Sequence, residues 1–178
     1  MTEVLLTGSQ TVGPYLHLGL VGDLIPAEIV PREQPGAIVI RGRLLDGAGA
    51  PVPDGMIETW QADPAGRYNA GGFGGLGRSG TVDSGTFEIV TVKPGRVPFP
   101  DGGLQAPHLA VGVFARGLLK RLATRIYFPD EAEANASDPV LGLLSETERA
   151  TLIAVPEDGA LRFDIRLQGA RQTTFFAV

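Results

Sequence analysis

The sequence predicts an all-β fold, a β-sandwich of mainly antiparallel strands with an irregular N-terminal arm and a short helical insertion. Glycine and proline are abundant, with 25 and 14 residues among the 178, and this much turn chemistry favours many short strands over long helices. Hydrophobic residues make up 43 % of the chain, which suffices for a core. Short apolar or alternating runs, separated by Gly/Pro-rich loops, recur along the chain.

We expect a single domain over residues 1–178, with an extended arm over residues 1–35 and a sandwich core over residues 36–178. Proline and glycine recur through the arm, for example at Gly13-Pro14, and no regular apolar period runs along it. An arm of this kind usually lies over its own domain or over a partner.

The first half of the core alternates between apolar runs and turns. Strands are predicted from Ala37 to Leu45, from Met56 to Gln61 and from Thr86 to Val92, where Lys93-Pro94-Gly95 ends the last of them. Residues 69–80 are rich in glycine and are expected to form a loop.

The next segments contain two strands and one helical region. Leu109 to Ala115 is apolar throughout and is typical of a central strand. In Leu122 to Phe128 the side chains alternate, so that Ala123, Arg125 and Tyr127 share one face. Helical structure is expected between Asp130 and about Ala154, where a capping box at Ser145-Glu146-Thr147-Glu148 opens a short second helix.

Two strands are predicted near the C-terminus. Leu161 to Gln168 alternates strictly between apolar and polar residues. Gln172 to Val178 is expected to be a last strand, because it ends in the apolar pair Phe175-Phe176.

Charge and composition exclude several classes of function. The net charge is −5, the pI is about 5.0 and no run of lysine or arginine occurs, which argues against binding to nucleic acid or anionic membranes. Without cysteine, disulfides and thiolate sites are excluded. The first residues lack the pattern of a signal peptide, and no stretch approaches the roughly 20 apolar residues of a membrane span. We therefore expect a cytoplasmic protein.

Two common motifs do not lead to a function here. Residues 72–77 match G-x-G-x-x-G, but a dinucleotide site needs a helix after this motif and nothing helical follows. No G-x-S-x-G nucleophile motif is present, and two histidines leave few candidate bases for serine hydrolysis.

A few polar residues could serve a site, although each has an ordinary structural explanation. His17 in the arm could be a hydrogen-bonded interface group, and His108 could be a core histidine. Tyr68 could be a packed tyrosine at the end of a turn, while Arg125 and Tyr127 could be a solvated strand face. Their order along the chain gives them more weight than their residue types do.

That order resembles the intradiol ring-cleaving dioxygenases. The resemblance is strong over the segment Gly42 to Asp63, which reads GRLLDGAGAPVPDGMIETWQAD. It continues through the following motifs: Gly66-Arg67-Tyr68, Gly77-Arg78, Thr91-Val92-Lys93-Pro94-Gly95 and Pro107-His108. It spans the chain from roughly residue 9 to the end.

The family holds a non-haem ferric ion with two tyrosinates and two histidines, and hard anionic phenolates suit Fe(III). By resemblance, Tyr68 occupies the position of the first tyrosine and His108 that of the first histidine. Val97 occupies the position of the second tyrosine and Ala110 that of the second histidine. Valine and alanine cannot bind a metal, so the resemblance implies no metal ligands in this chain. Tyr68 and His108 would then be free to hydrogen-bond each other or water.

This loss resembles the iron-free alpha chains of two-chain family members, which pair with a beta chain of the same fold. The resemblance implies that the beta chain holds Fe(III) and that 3,4-dihydroxybenzoate is cleaved by O2 between its hydroxyl-bearing carbons to 3-carboxy-cis,cis-muconate. No residue of this chain alone would be catalytic. The chain would instead line the partner's pocket with the following substrate-binding residues: Thr11, Gly13, Pro14, Tyr15 and Arg125. Several alpha–beta pairs would join into a higher oligomer.

Two alternatives remain open from the sequence. The first is a self-sufficient intradiol catechol dioxygenase with a rearranged iron site that recruits His17 or Tyr127. The second is a non-enzymatic β-sandwich binding module, because a fold does not determine a function.

Overall fold

The computed structural model describes residues 7–22, 24–81 and 83–177. Its strands are β1 Ala37–Leu45, β2 Met56–Trp60, β3 Leu76–Gly80, β4 Thr86–Val92, β5 Val97–Pro98, β6 Leu104–Gln105, β7 His108–Phe114, β8 Leu122–Tyr127, β9 Val155–Glu157, β10 Ala160–Arg162 and β11 Ile165–Arg166. The helical elements are a π-helical turn Leu16–Leu20, α1 Ala132–Ala136, a 3₁₀ turn Leu141–Leu143 and α2 Glu146–Ala150. None of the helices in the described ranges is long and apolar enough to cross a membrane.

Two sheets form a β-sandwich, which confirms the predicted fold class. In the first sheet β1 pairs antiparallel with β4 on one side and parallel with β10 and β11 on the other, and β9 pairs with β10. The second sheet has the antiparallel order β3-β2-β7-β8. The core lies between them, where Ile40 and Phe87 of the first sheet pack in one cluster with Ile57, Val111 and Ile126 of the second.

The outward face of the second sheet positions the candidate site. Trp60 of β2 lies opposite Ala110 of β7, and Ala110 lies opposite Arg125 of β8. Two pairs further along, His108 lies opposite Tyr127. Because side chains alternate along a strand, these residues share the face that points away from the sandwich core.

The loop predicted for residues 69–80 was wrong in its second half, because Leu76–Gly80 forms β3 and pairs with the whole of β2. The glycines of this segment are typical of loops, so the sequence pattern did not indicate a strand. A Cβ on Gly77 would lie 2.8 Å from the side chain of Ile29, so the arm packs where a larger residue would stand. The G-x-G-x-x-G match of residues 72–77 runs into this strand at Leu76, where a dinucleotide site would need a helix.

The single strand predicted for Leu161 to Gln168 is split into β10 and β11. Between them the Asp164 carboxylate accepts a hydrogen bond from the Arg43 backbone N–H at 3.1 Å, in place of a ladder bond. Gly42 permits the close approach, because a Cβ there would lie only 1.8 Å from the Phe163 carbonyl oxygen.

The last predicted strand, Gln172 to Val178, is also wrong over its described part, and Val178 lies outside the described residues. The segment pairs with β8 at a single antiparallel β-bridge, in which the Phe176 N–H donates a hydrogen bond to the Ala123 carbonyl at 2.8 Å. The Thr124 hydroxyl instead binds the Thr174 carbonyl at 2.7 Å, so side chains replace a regular ladder.

The helical region is shorter and more broken than predicted, because Asp138-Pro139 interrupts it. The Asp138 side chain accepts hydrogen bonds from the backbone N–H groups of Val140 and Leu141. Pro139 disfavours the helical conformation at Asp138, the residue before it. The predicted capping box is confirmed, with Ser145 and Glu148 bonding reciprocally at the start of α2.

The arm is irregular except for its π-helical turn, and residues 1–6 and 23 of it lie outside the described residues. Ile29 N–H donates to the Val90 carbonyl at 2.8 Å, which attaches the end of the arm to β4. Arg32 adds an ion pair with Glu88.

Candidate functional site

The turn before Tyr68 is tied to the loop before Val97. The Asp63 carboxylate accepts from the backbone N–H of Arg67 at 2.9 Å and pairs with its guanidinium at 2.8 Å. The Asp63 carbonyl in turn accepts from Gly95 N–H at 2.9 Å. A Cβ on Gly66, where φ is +76°, would lie 2.1 Å from the Arg96 carbonyl oxygen, so glycine is required for this contact.

Tyr68 is half exposed, and its ring stacks on Trp60. The two ring centroids are 5.8 Å apart and the planes differ by 11°. Burial raises the pKa of the Tyr68 phenol above its usual value, and the nearby charge of Arg125 opposes this only in part. The phenol therefore stays protonated at neutral pH.

His108 is buried, with 5 % of its surface exposed, and its ring tilts against Tyr127 at 5.5 Å between centroids. Its Nδ1 lies 2.8 Å from the Ala106 carbonyl oxygen, so Nδ1 carries the proton and donates. Burial, aided by the charge of Arg125, lowers the pKa of His108 to about 4. The imidazole is thus neutral and held by the backbone, and no hydrogen bond joins it to Tyr68 within the described ranges.

The buried carboxylate of Asp138 fixes the backbone around Tyr127 and His108 through hydrogen bonds. It accepts from the backbone N–H groups of Ala106 at 2.7 Å and of Val140 and Leu141 at 2.8 Å each. The Tyr127 hydroxyl donates to it at 3.4 Å. Burial raises the pKa of Tyr127 to about 12, so its hydroxyl stays a donor.

Arg125 lies half-buried above this cluster. Its Nη1 donates to the Gln105 side-chain oxygen at 2.8 Å and to the Tyr127 hydroxyl at 3.1 Å. The guanidinium carbon lies 5.9 Å from the centroid of the Phe176 ring. No carboxylate of the described residues lies within 4 Å of its nitrogens.

A groove of about 390 Å³ runs along this outward face. We call it the Trp60 groove, and its walls and floor include Trp60, Ala110, Gly112, Arg121, Arg125 and Phe176. Ala110, which the resemblance matches to the second histidine, contributes a methyl group to the groove.

The four positions that resemble metal ligands lie on neighbouring elements. Tyr68 stacks on Trp60 beside Ala110, and buried Val97 pairs with Gln105, which binds Arg125. Two of these four side chains have no donor atom. Within the described part of the chain, no group of three or more His, Asp or Glu residues could hold a metal ion.

The arm lies at the other end of β7. The Thr11 hydroxyl accepts from Gly117 N–H at 2.7 Å, just beyond the end of that strand. Ala110, which lies opposite Arg125, is four residues before the strand end at Phe114, a distance of about 13 Å. The described contacts therefore do not join Arg125 to the arm residues with which it was grouped in the sequence.

From Gly13 to Tyr15 the arm is exposed. Gly13 and Pro14 are on the surface and Tyr15 is 82 % exposed. Leu16 is buried at the start of the π-helical turn, and His17 packs over Gly80 of β3.

Several site residues were missed from the sequence. Asp138, Gln105 and Phe176 come from three separate segments, and nothing in their local patterns marks them. Arg121 precedes β8 with the residue pattern of an ordinary turn. Trp60 offered one signal, because it is the only tryptophan of the chain and ends a predicted strand on the same motif as Asp63.

Comparison with known proteins identifies similar chains. A family model described as dioxygenase matches residues 23–169. The chain is 41 % identical to the protocatechuate 3,4-dioxygenase alpha chain of Pseudomonas putida, over 96 % of this chain and 95 % of the relative. It is 39 % identical to the alpha chain of Burkholderia cepacia over the whole of both. The beta chain of Burkholderia cepacia is 32 % identical over 93 % of this chain and 77 % of its own length.

Solved structures share the fold. The dioxygenase domain of a carbohydrate-binding fusion protein from Streptomyces sp. SirexAA-E matches with a TM-score of 0.63 and 23 % identity, over 92 % of this chain and all of that one. Hydroxyquinol 1,2-dioxygenase from Pseudomonas putida DLL-E4 matches with a TM-score of 0.65 and 21 % identity, over 90 % of this chain and 65 % of that one.

Proposed function

The chain belongs to the intradiol dioxygenase family, and from this membership we propose that it acts as the iron-free alpha subunit of a protocatechuate 3,4-dioxygenase. Its partner is a beta chain of the same fold that holds Fe(III). The assembled enzyme uses O2 to cleave 3,4-dihydroxybenzoate between its hydroxyl-bearing carbons, giving 3-carboxy-cis,cis-muconate. We place this reaction in the cytoplasm.

The observation that carries the proposal is the donor set at the four ligand-like positions. Val97 and Ala110 offer only alkyl groups, so two of the four positions have no donor atom for a metal. Ferric iron favours hard anionic donors, so these residues do not fit the metal. We therefore assign no step of the reaction to a metal held by this chain.

The arm supplies this chain's part of the pocket. Thr11 anchors it to Gly117, and the exposed residues that follow are free to reach a neighbouring chain. Gly13 permits close approach of the backbone to a flat ring, and Pro14 restricts the path of the arm. Tyr15 offers a ring for packing and a hydroxyl for a polar contact.

The apolar side chains around the arm support a partner surface. Leu18 is 78 % exposed and Leu24 is 87 % exposed, close in sequence to exposed Tyr15. Apolar groups that cluster on a surface mark interaction sites. A permanent alpha–beta pair is expected to bury about 2,000 Å² or more, and such pairs commonly join into larger symmetric particles.

In the assembled enzyme the ferric ion of the beta chain would orient the catechol and activate it electronically. The role of this chain is to shape the cavity and to keep water from the ring. Its contribution is therefore to substrate positioning, and no residue of this chain alone is assigned as catalytic.

The test is iron content and visible absorbance, measured on the chain alone and after co-expression with a beta chain. We expect a colourless, iron-free chain alone, and iron, colour and 3,4-dihydroxybenzoate cleavage only in the pair. Stoichiometric iron in the lone chain would replace the proposal with a self-sufficient dioxygenase. A pair that assembles but cleaves no catechol would favour a binding module.

A further inference from the structure

We propose that a groove between α2 and the outward side of β10 and β11 binds a small organic polycarboxylate through arginine side chains. We call it the α2 groove, and its volume is about 400 Å³. It lies on the first sheet, and no described residue lines both this groove and the Trp60 groove. Because it is built from this chain's own residues, a failure of the proposed function would leave it standing, and the reverse also holds.

One wall of the α2 groove is a row of polar side chains at the edge of the first sheet. Arg162, Asp164 and Arg166 line the groove and alternate with Phe163 and Ile165, which are buried. The polar side chains therefore point away from the sandwich core. Two of the three carry a guanidinium, so this wall presents positive charge to the groove.

The opposite wall is formed by α2 and the residues after it, and hydrogen bonds hold it in place. The Thr151 hydroxyl donates to the Glu148 carbonyl at 2.7 Å and accepts from the Thr174 backbone N–H at 3.0 Å. Next to Thr174, the Thr173 hydroxyl accepts from the Arg166 backbone N–H at 3.0 Å. These bonds connect the two walls, so the groove exists before any ligand binds and little order has to be gained on binding.

The two acidic residues that line the groove are already bound within the chain. Glu148 closes the capping box and accepts from the backbone N–H and the hydroxyl of Ser145 at 2.8 and 2.7 Å. Asp164 accepts from the Arg43 backbone N–H at 3.1 Å and lies 4.0 Å from the Arg162 guanidinium. A ligand therefore meets little uncompensated negative charge in the groove.

Two arginines of the lining keep their charge available. Arg162 pairs with Glu157 at 2.6 Å, whereas neither Arg166 nor Arg171 forms an ion pair within 4 Å with a side chain of residues 7–22, 24–81 or 83–177. A guanidinium binds a carboxylate through two parallel hydrogen bonds. Two such arginines can therefore bind two carboxylates of one ligand.

The two arginines come from different segments. Arg166 belongs to β11, and its Nη1 reaches the turn after β1, where it would lie 3.9 Å from a Cβ on Gly49. Arg171 lies in the following turn, which is closed by the Gln172 N–H donating to the Gly169 carbonyl at 3.0 Å. Separate supports of this kind suit a ligand that carries its carboxylates on different carbon atoms.

The rest of the groove suits the carbon chain of such a ligand. Its apolar lining consists of Ala150, Ile153, Val155, Phe163 and Ala170. The volume of about 400 Å³ is within the usual range of about 300–1,000 Å³ for small-molecule sites. An apolar surface with arginines at its edges fits a short organic polycarboxylate better than a single inorganic anion.

The test is calorimetric titration of the full-length chain with citrate, a tricarboxylate with a short carbon chain. Acetate and inorganic phosphate are titrated in parallel at neutral pH and at the same ionic strength. We expect one citrate per chain with a Kd of about 1 mM or tighter, and binding of acetate and phosphate at least about tenfold weaker. Tryptophan fluorescence should not follow the titration, because the only tryptophan, Trp60, lines the other groove.

Variants assign the binding to the α2 groove. Arg166→Gln and Arg171→Gln should each weaken citrate binding about tenfold, and Arg171→Lys should retain part of it. Arg171 is exposed, so its variants serve if Arg166→Gln fails to fold. Arg116→Gln is the matched control, because Arg116 is exposed, pairs with Asp54 at 3.2 Å and does not line the groove.

Four results would overturn the proposal. Acetate or phosphate could bind as tightly as citrate, or both glutamine variants could bind citrate as well as the wild-type chain does. The wild-type chain could give no saturable heat up to about 10 mM citrate. Finally, Arg121→Gln could abolish binding that both glutamine variants retain, which would place citrate in the Trp60 groove instead.

Discussion

The outward face of the second sheet and the N-terminal arm differ in whether their side chains find partners within the chain. On the face, the buried groups Asp138, Tyr127 and His108 find their partners inside the chain. In the arm, Tyr15 and Leu24 expose apolar side chains and find few partners. The face is therefore stabilised from within, whereas the arm has the character of a surface that another chain completes.

The contrast also shows how the outward face is held together. At three of the positions that resemble metal ligands, this chain has a stacked Tyr68, a backbone-bound His108 and a methyl group at Ala110. Hydrogen bonds and packing within the chain therefore satisfy the polar groups at these positions.

The largest expected effect comes from removing the centre of the face. Asp138→Ala leaves the backbone N–H groups of Ala106, Val140 and Leu141 without their acceptor. The hydrogen bonds of Ala106 and Leu141 are buried, and losing each costs about 1–3 kcal/mol. We expect a loss of about 3 kcal/mol or more in the free energy of unfolding, measured by urea denaturation. Asp101→Ala, at an exposed turn, should change it by less than about 0.5 kcal/mol. Equal effects of the two variants would contradict the described network.

The second effect is a pH dependence that belongs to His108. Its pKa of about 4 in the folded chain lies below the usual value of 6.5. Above pH 6.5 the imidazole is neutral in both states and contributes no pH dependence. As the pH falls towards 4 the unfolded chain takes up the proton first, so stability falls, and below pH 4 the contribution is constant.

We expect wild type to lose about 2–3 kcal/mol more than His108→Gln between pH 7.5 and pH 4.5. Urea denaturation of both chains at these two pH values measures the difference. Parallel losses in the two chains would show that His108 is accessible to protons in the folded state.

The third prediction concerns the arm. Tyr15→Ala should leave the stability of the lone chain within about 0.5 kcal/mol, because the ring is 82 % exposed. In the assembled enzyme it should lower turnover about tenfold, the equivalent of about 1.4 kcal/mol of lost positioning, without removing iron. Iron analysis alongside steady-state kinetics tests this, and iron lost in parallel with activity would refute the pocket-wall role.

The smallest effect is local. Thr11→Val removes the acceptor of Gly117 N–H, which is worth about 1 kcal/mol, so exchange of that amide should accelerate about fivefold. Thr11→Ser keeps the hydroxyl and should keep the protection. Hydrogen exchange read by NMR gives both values, and an unchanged rate in Thr11→Val would mean that other contacts hold the arm.

Elements marked by local periodicity could be predicted from the sequence. The strands β1, β2 and β4 have clear apolar patterns. The alternation in β8 predicted that Arg125 and Tyr127 share one face, and in the structure their side chains are joined by a hydrogen bond. The capping box depends on residues three apart and was equally accessible.

The features that were missed depend on distant contacts. β3 is a strand because it pairs with the whole of β2, and Gly77 leaves room there for Ile29. β10 separates from β11 where Asp164 binds the backbone of Arg43. The Trp60 groove combines several chain segments, so no local pattern could reveal it. The four ligand-like positions could be found only through the family resemblance, because the side chains of Val97 and Ala110 carry no polar group that would mark a site.

The parallel pairing of β1 with β10 and β11 has a consequence for how the chain folds. Ile40 pairs with Leu161, and Arg43 N–H binds Asp164, 121 residues away. During synthesis, the sheet that contains β1 cannot be completed until β10 and β11 have been made. Until then, one edge of β1 is unpaired and open to incorrect pairing. Such long-range closure predicts slow folding and makes the last twenty residues a condition for the first sheet to form.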